Sequence, residues 1–104
     1  GVHEKRGDRQ EQANSRRLLG DIALGNAQPV EARADYQRAL EIDKDEAVPR
    51  KIFADLMGIG MTFAAERRRE EAATHFRRAR DVAQAAGDRA AAAEADRRLT
   101  ELAR

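Results

Sequence analysis

Apolar residues recur along the chain with the spacing of amphipathic helices. Leu18, Leu19, Ile22 and Ala23 form one stripe, because positions i, i+1, i+4 and i+5 share a helix face. Two further stripes follow, made of Phe53, Leu56, Met57, Gly60 and Phe63, and then of Ala72, Phe76, Ala79, Val82 and Ala83. No run alternates with the period of two that marks a strand. The pattern therefore predicts an all-α protein whose apolar stripes form its core.

Five helices are expected, and the residues between them suggest where each begins and ends. The predicted spans are about 8–25, 30–43, 47–65, 68–86 and 88–103. Asp8 and Asp88 each follow a glycine and can cap a helix N-terminus, while Pro29 and Pro49 suit first helical turns. Gly87 can supply the left-handed residue that ends a helix. We expect residues 43–46, which are mostly acidic, to end the second helix and to put negative charge at the start of the third.

The chain repeats itself at a distance of forty residues. This shift aligns Leu19-Gly20 with Ile59-Gly60 and Tyr36 with Phe76, and a shift of eighty places Gly7-Asp8 on Gly87-Asp88. Periods of about 20 to 50 residues indicate stacked units, here helical hairpins that cannot bury an apolar stripe alone. We therefore expect one domain over 1–104, with repeat 1 at about 8–45, repeat 2 at about 46–86 and a C-terminal capping helix at 88–103.

These residues resemble the tetratricopeptide repeat (TPR) family. Its pattern is a Leu-Gly pair in the first helix of a unit, then Ala, an aromatic residue and Ala in the second. The two matching sets are Leu19-Gly20, Ala32, Tyr36 and Ala39, and Ile59-Gly60, Ala72, Phe76 and Ala79. The family's tryptophan and closing proline are absent, and the spacing of 40 exceeds the usual value of about 34. This spacing resembles a longer-helix subgroup that is common in bacterial regulators and scaffold proteins, and it implies a TPR-like α-solenoid fragment.

The resemblance also implies a concave groove lined by the first helices of the units. The residues expected to face it are Asn14, Arg17, Asp21 and Leu24, then Ala54, Met57, Met61 and Ala64, and in the last helix Glu94, Arg97 and Glu101. Methionine adapts to varied apolar partners. We therefore expect an exposed Met57–Met61 strip to bind a peptide or helix of another protein, with the charged residues selecting it. The alternative is that both methionines are ordinary core.

Composition narrows the classes of function. Leu, Ile, Val and Phe make up only 18 of 104 residues, a share typical of disordered chains, but 20 basic and 19 acidic residues nearly cancel. The 22 alanines favour helices that pack closely. The absence of cysteine excludes disulfides and thiolate chemistry. No apolar run could span a bilayer, no secretory signal is visible, and the start at Gly1 suggests an excised segment. A cytoplasmic protein with no membrane partner is expected.

Arginines cluster in the second half of the chain, where they could contact a nucleic-acid backbone. They are Arg67, Arg68, Arg69, Arg77, Arg78 and Arg80. Guanidinium groups suit phosphates, but glutamates are interleaved and no aromatic residue accompanies the arginines for base stacking. The favoured interpretation is a solvated face with ion pairs among residues such as Glu66, Glu70, Arg69 and Arg78. Nucleic acid is therefore a disfavoured partner.

Sequence motifs for catalysis or cofactor binding are lacking. His75 has Glu71 one turn before it but Ala79 one turn after it, too few ligands for a metal, and His3 falls in a terminus expected to fray. The tripeptide Arg6-Gly7-Asp8 is better explained as a helix start, because Gly87-Asp88 repeats it. We expect a non-catalytic protein-interaction module without cofactor or metal. The alternative is a structural unit that forms homo-oligomers or belongs to a longer array in a bacterial regulator.

Overall fold

The computed structural model describes residues 2–104, with side chains described from residue 7 onward. Its helices are α1 (Val2–Gly25), α2 (Pro29–Glu46), α3 (Pro49–Ala65), α4 (Arg69–Ala85) and α5 (Arg89–Ala103). Each helix packs on the one before it, so that α1–α2 and α3–α4 form two hairpins and α5 packs on α4. The predicted all-α hairpin fold is confirmed. The side chains of His3 and Arg6 lie outside the described residues, and the repeat boundaries and the capping role of α5 stay predictions.

The turns between these helices share one geometry. Each contains a residue with left-handed backbone, and these residues are 20 positions apart: Ala27 (φ 59°), Ala47 (φ 55°), Arg67 (φ 61°) and Gly87 (φ 73°). The N–H of the next residue then donates to a carbonyl five positions back, as from Gln28 to Ala23 and from Arg68 to Phe63, both at 2.9 Å. This Schellman motif satisfies carbonyls at the helix end. A hairpin and its turns therefore occupy forty residues.

Several predicted helix ends are confirmed by the structure. Asp88 caps α5 by accepting a hydrogen bond from the backbone N–H of Ala91 at 3.0 Å. Pro29 and Pro49 are the first residues of α2 and α3, where the ring fits the helical φ and no donor is lost. Gly87 adopts the left-handed conformation expected of it.

Two predicted boundaries are wrong. Helix α1 begins at Val2, so Asp8 lies inside it and caps nothing. A side chain at Gly7 would meet no atom within 4 Å, so no packing stops the helix there, and propagation adds a hydrogen bond for each residue. The second helix does not stop at residue 43 but continues to Glu46, until Ala47 takes the left-handed conformation. Residues 43–46 thus form the end of α2, as predicted.

Small residues let aromatic rings pack between the helices. The ring of Tyr36 contacts Gly20 of α1 and Gly58 of α3, and a Cβ at Gly58 would lie 2.6 Å from its Cε1 atom. Phe76 of α4 contacts Gly60 in the same way. The fully or nearly buried alanines are Ala13, Ala23, Ala32, Ala39, Ala72, Ala79, Ala83 and Ala95. Close helix approach thus makes a core from few large apolar groups.

The apolar stripe predicted for α1 does not join this core. Leu18, Leu19 and Ile22 are 59%, 48% and 52% exposed, and only Ala23 of the stripe is buried. The residues that α1 buries are small, because they face α2 at close range. The expectation that the whole stripe is core is therefore wrong.

Ala27 allows a test of the turn geometry. A left-handed backbone costs a non-glycine residue about 1–2 kcal/mol, whereas glycine loses about 0.4–1 kcal/mol through the entropy of the unfolded chain. We expect Ala27→Gly to raise the free energy of unfolding by up to about 1 kcal/mol, measured by urea denaturation. The matched control is Ala34→Gly, at an exposed position inside α2. This change should lower the free energy of unfolding by about 1 kcal/mol. Destabilisation by both changes would contradict the assigned turn.

Candidate functional site

A cleft of about 330 Å³ opens between residues of α1, α3 and α5. This volume lies at the lower end of the range for ligand clefts, about 300–1,000 Å³. Its lining residues are Asp21, Leu24, Tyr36, Phe53, Ala54, Met57, Gly58, Met61, Glu94 and Arg98. Six of the eleven groove residues predicted from the sequence lie together here, namely Asp21, Leu24, Ala54, Met57, Met61 and Glu94. Their role in binding stays a prediction.

The two methionines differ in exposure. Met57 is only 8% exposed and belongs to the hydrophobic core, whereas Met61 is half-buried and packs against that core. The expectation of an exposed methionine pair is therefore wrong for Met57, which contributes only its edge to the floor of the cleft. The reason is that the stripe of α3 is covered on both sides, by α2 and by α4.

One wall of the cleft carries a carboxylate held by a tyrosine. The hydroxyl of Tyr36 donates a hydrogen bond to Oδ1 of Asp21. Burial raises the pKa of Tyr36 above its ordinary value, and the hydrogen bond and charge of Asp21 raise it further. Tyr36 therefore stays a donor at physiological pH and fixes one oxygen of Asp21. The other wall carries Glu94 and Arg98 of α5, so the cleft contains more carboxylates than cations.

Arg17 and Asn14, also predicted to face the groove, do not line the cleft. Nε of Arg17 donates to Oδ1 of Asp55 at 2.8 Å, and the same guanidinium pairs with Asp43. Asn14 accepts a hydrogen bond from Arg17 at 2.9 Å. Burial disfavours the cation, but the two carboxylates outweigh this and raise the pKa of Arg17 above its ordinary value. The charge of Arg17 thus neutralises buried carboxylates, and its role in partner selection stays a prediction.

Asp43 and Asp55 form a buried carboxylate pair that the sequence analysis missed. They are 1% and 0% exposed, and one oxygen of each lacks a hydrogen-bond partner. Burial raises the pKa of Asp55 to about 8, with Asp43 adding to the rise and Arg17 opposing it. One signal was available in the sequence, because Asp55 lies between Ile52 and Ile59 at helical spacing, within the apolar stripe of α3.

The last helix presents only part of its predicted side to the cleft. Glu94 lines the cleft as predicted, whereas Arg97 and Glu101 are exposed and do not line it. Arg98, which was not predicted, is half-buried and lines the cleft with Glu94. A guanidinium nitrogen of Arg98 lies 3.3 Å from a carboxylate oxygen of Glu101.

Two arginines of the cluster, Arg68 and Arg80, pair with carboxylates. Arg68 pairs with Glu66 and Glu71 and stacks 4.8 Å from the centre of the Phe63 ring, and Arg80 pairs with Asp96 at 3.3 Å. The observed ion pairs of this face involve other residues than the predicted ones. Basic and acidic side chains nevertheless alternate on it, as predicted. His75 is half-buried, with its ring 5.2 Å from that of Phe63 and Nδ1 2.8 Å from the carbonyl of Glu71.

The part of the chain that the structure describes contains neither a cluster of metal ligands nor a membrane-spanning helix. Within that part of the chain, no three carboxylate or imidazole groups are placed to hold a metal ion. None of the helices it contains is both long enough and apolar enough to cross a bilayer. Gly7 and Asp8 of the predicted Arg-Gly-Asp helix start lie within α1.

The stacked hairpins define a class of fold, that of helical-hairpin repeat domains. The structure is similar to the crystal structure of the TPR domain of Arabidopsis FLU (FLU-TPR), with a TM-score of 0.77 over 90% of this chain and 85% of that chain. The two sequences are 18% identical, so the likeness shows a TPR-like fold. No protein-family model and no curated protein sequence matches the chain.

Proposed function

We propose that the chain is a non-catalytic protein-interaction module that holds a peptide or helix of another protein in the cleft. The observation that carries this proposal is the joint lining of one cleft by α1, α3 and α5. Apolar and charged side chains converge there on rigid helices, which limits the entropy lost on the module's side when a partner binds. The TPR-like fold supports the proposal, because stacked hairpins create extended concave surfaces for binding.

The lining of the cleft suggests the chemistry of its partner. Phe53, Met57 and Met61 give it an apolar floor, while Asp21 and Glu94 place carboxylates on opposite walls. A partner segment would therefore insert an apolar side chain and place a basic residue beside Asp21 or Glu94. Buried apolar anchors supply affinity, and rim charges mainly select the partner and speed its association.

Two alternatives have weaker support. A structural or self-associating unit would use exposed apolar surface elsewhere on the molecule, such as Leu18, Leu19 and Ile22 of α1. Contact with a nucleic-acid backbone would use the arginine cluster, but Arg68 and Arg80 already pair with carboxylates. We further propose that the chain belongs to the forty-residue TPR subgroup, that its parent protein is a bacterial regulator and that it is cytoplasmic. These three proposals rest on the sequence pattern alone.

Met61 and Arg78 provide a matched pair for testing the cleft. Peptides selected from a display library against the full chain would serve as probes, with affinity measured by fluorescence anisotropy. We expect Met61→Glu to weaken binding at least about tenfold, because an unpaired charge on the cleft floor opposes apolar burial. Met61 is preferable to Met57, whose burial would turn the same change into a folding defect.

The control is Arg78→Glu, on the exposed side of α4, which should leave affinity within about twofold. Circular dichroism would establish that both variants fold. Peptides that bind Met61→Glu normally but not Arg78→Glu would show that the cleft is not the binding site. Binding that depends steeply on salt and follows the arginines would favour the phosphate-backbone alternative.

A further inference from the structure

We propose that the exposed side of α1 is the docking surface for an upstream helix, which runs antiparallel to α1 and joins it through a turn at Gly7-Asp8. The surface, called here the α1 face, consists of Ser15, Leu18, Leu19 and Ile22. It adjoins the side of α1 that packs on α2, because Ser15 and Leu19 border a groove together with Arg38 and Ile42 of α2. None of its four residues lines the cleft. The inference is therefore independent of the proposed function.

The repeat shows what the α1 face is shaped to contact. Forty residues after Leu19 and Ile22, α3 carries Ile59 and Thr62, which are 1% and 0% exposed in a helix that packs on α2. Leu19 and Ile22 are themselves 48% and 52% exposed. Contiguous apolar side chains on the surface mark an interaction site. The α1 face thus has the position and the apolar character of a surface that a preceding helix covers elsewhere in the same chain.

Gly7 falls in register with the turns between the other helices. The left-handed residues Ala27, Ala47, Arg67 and Gly87 are spaced by 20, and Gly7 lies 20 positions before the first of them. The dipeptide Gly7-Asp8 is the same as Gly87-Asp88, in which glycine makes the turn and aspartate caps the next helix. A chain that turned at Gly7 would run back along the α1 face, as α2 runs along α3. In the present structure Gly7 instead lies inside α1, which begins at Val2.

Differences between α1 and α3 specify the chemistry of the docking helix. On α3, Thr62 accepts a hydrogen bond from Arg33 of α2 at 3.0 Å, and Asp55 lies in the buried cluster with Asp43. Ile22 and Ser15 occupy the matching positions of α1. The docking helix should therefore carry an apolar residue at the position of Arg33.

The opposite end of the stack argues against end-to-end docking of a second copy. A depression beside α5 is lined by alanines and by polar or charged residues, which are Gln84, Gly87, Asp88, Arg89, Ala92, Ala93 and Asp96. These residues offer no large apolar group to cover Leu18, Leu19 and Ile22. An upstream helix with an apolar stripe is the better match to the α1 face.

A duplicated chain tests the proposal directly. In this tandem chain, residues 1–46 are followed immediately by residues 7–104, so that the first copy of α2 precedes Gly7 with the spacing of the natural turns. The first copy carries Arg33→Leu. The natural chain has no cysteine, so Ile22→Cys in the last copy provides a single thiol whose labelling rate reports whether the α1 face is covered. The control in both chains is a single thiol from Gln37→Cys, at an exposed position of α2, which is placed in the last copy of the tandem chain.

We expect the thiol at position 22 to be labelled at least about tenfold more slowly in the tandem chain than in the natural chain, and the thiol at position 37 equally fast in both. Gly7→Ala should raise the melting temperature of the natural chain, where Gly7 is helical, and lower that of the tandem chain, where it turns. Equal labelling at position 22 in both chains would overturn the proposal. Labelling at position 22 that slows with concentration in the natural chain would place a second copy there and would also overturn it.

Discussion

Arg17→Met should lower the free energy of unfolding by about 3–5 kcal/mol at pH 8, because removing one partner from a buried ion pair leaves an uncompensated charge. Arg17 is the cation that contacts both Asp43 and Asp55, which are almost completely buried. Methionine keeps much of the length of the side chain, so the loss reports charge rather than packing. Total stabilities of small domains are about 5–15 kcal/mol, and the variant should therefore be partly unfolded or close to it. Urea denaturation followed by circular dichroism measures the loss.

The pH dependence separates this electrostatic effect from a packing effect. Burial raises the pKa of Asp55 to about 8 in the folded chain, compared with about 3.9 in an unfolded chain. Between these values the folded state binds more protons, so stability falls as pH rises from about 4 to about 8. The loss in Arg17→Met should accordingly be smaller at pH 5, where Asp55 is protonated. An equal loss at pH 5 and pH 8 would contradict the assignment.

Asp55→Asn is the matched variant for the same cluster. It removes the carboxyl group that titrates, leaves the Arg17–Asp43 pair and retains the shape of the side chain. Its free energy of unfolding should fall less than that of the natural chain between pH 5 and pH 8, because the group responsible for the slope is gone. Comparing the two proteins at each pH cancels the contribution of every group that they share.

Gly60→Ala should destabilise the chain even though alanine favours helices. A Cβ at Gly60 would lie 2.5 Å from Cε1 of Phe76, whose ring is buried between α3 and α4. Overpacking of this kind costs about 1–3 kcal/mol, against a gain in helix propensity of about 1 kcal/mol. We expect a net loss of up to about 2 kcal/mol in the free energy of unfolding. The double variant Gly60→Ala with Phe76→Leu should recover part of the overpacking cost, which a double-mutant cycle would measure.

Gly7→Ala is the control for that substitution, because nothing lies within 4 Å of the added methyl group in α1. Here only the helix propensity changes, so the free energy of unfolding should rise by up to about 1 kcal/mol. The same replacement should therefore have opposite signs at two helical glycines. Stabilisation at both positions would show that the ring of Phe76 can move aside without cost.

Sequence reasoning succeeded where the signal is local. Proline and glycine mark the helix ends at Pro29, Pro49 and Gly87, because each restricts or frees the backbone of its own residue. The left-handed conformations of Ala27 and Arg67 carry no such mark, since only the surrounding hydrogen bonds impose them. The predicted spans place both residues between helices, and the repeat, not the residue type, is the signal that would have predicted their conformation.

The candidate site was less predictable because it depends on contacts distant in sequence. Arg17 was assigned to the groove from its place in the repeat, but its Nε contacts a carboxylate 38 residues away. Similarly, an apolar stripe predicts burial only if another element covers it. Ile59 has such a cover and Leu19 does not, although the two occupy equivalent repeat positions.

The spacing of the turns restricts how the length of this chain can change. An insertion of one residue within α3 would rotate everything beyond it by about 100° and move Gly60 away from the ring of Phe76. An insertion of twenty residues would exchange first helices for second helices in every later unit. An insertion or deletion of forty residues between corresponding turns leaves every later contact in register. Mutation can therefore lengthen or shorten this protein at low cost only in whole hairpins.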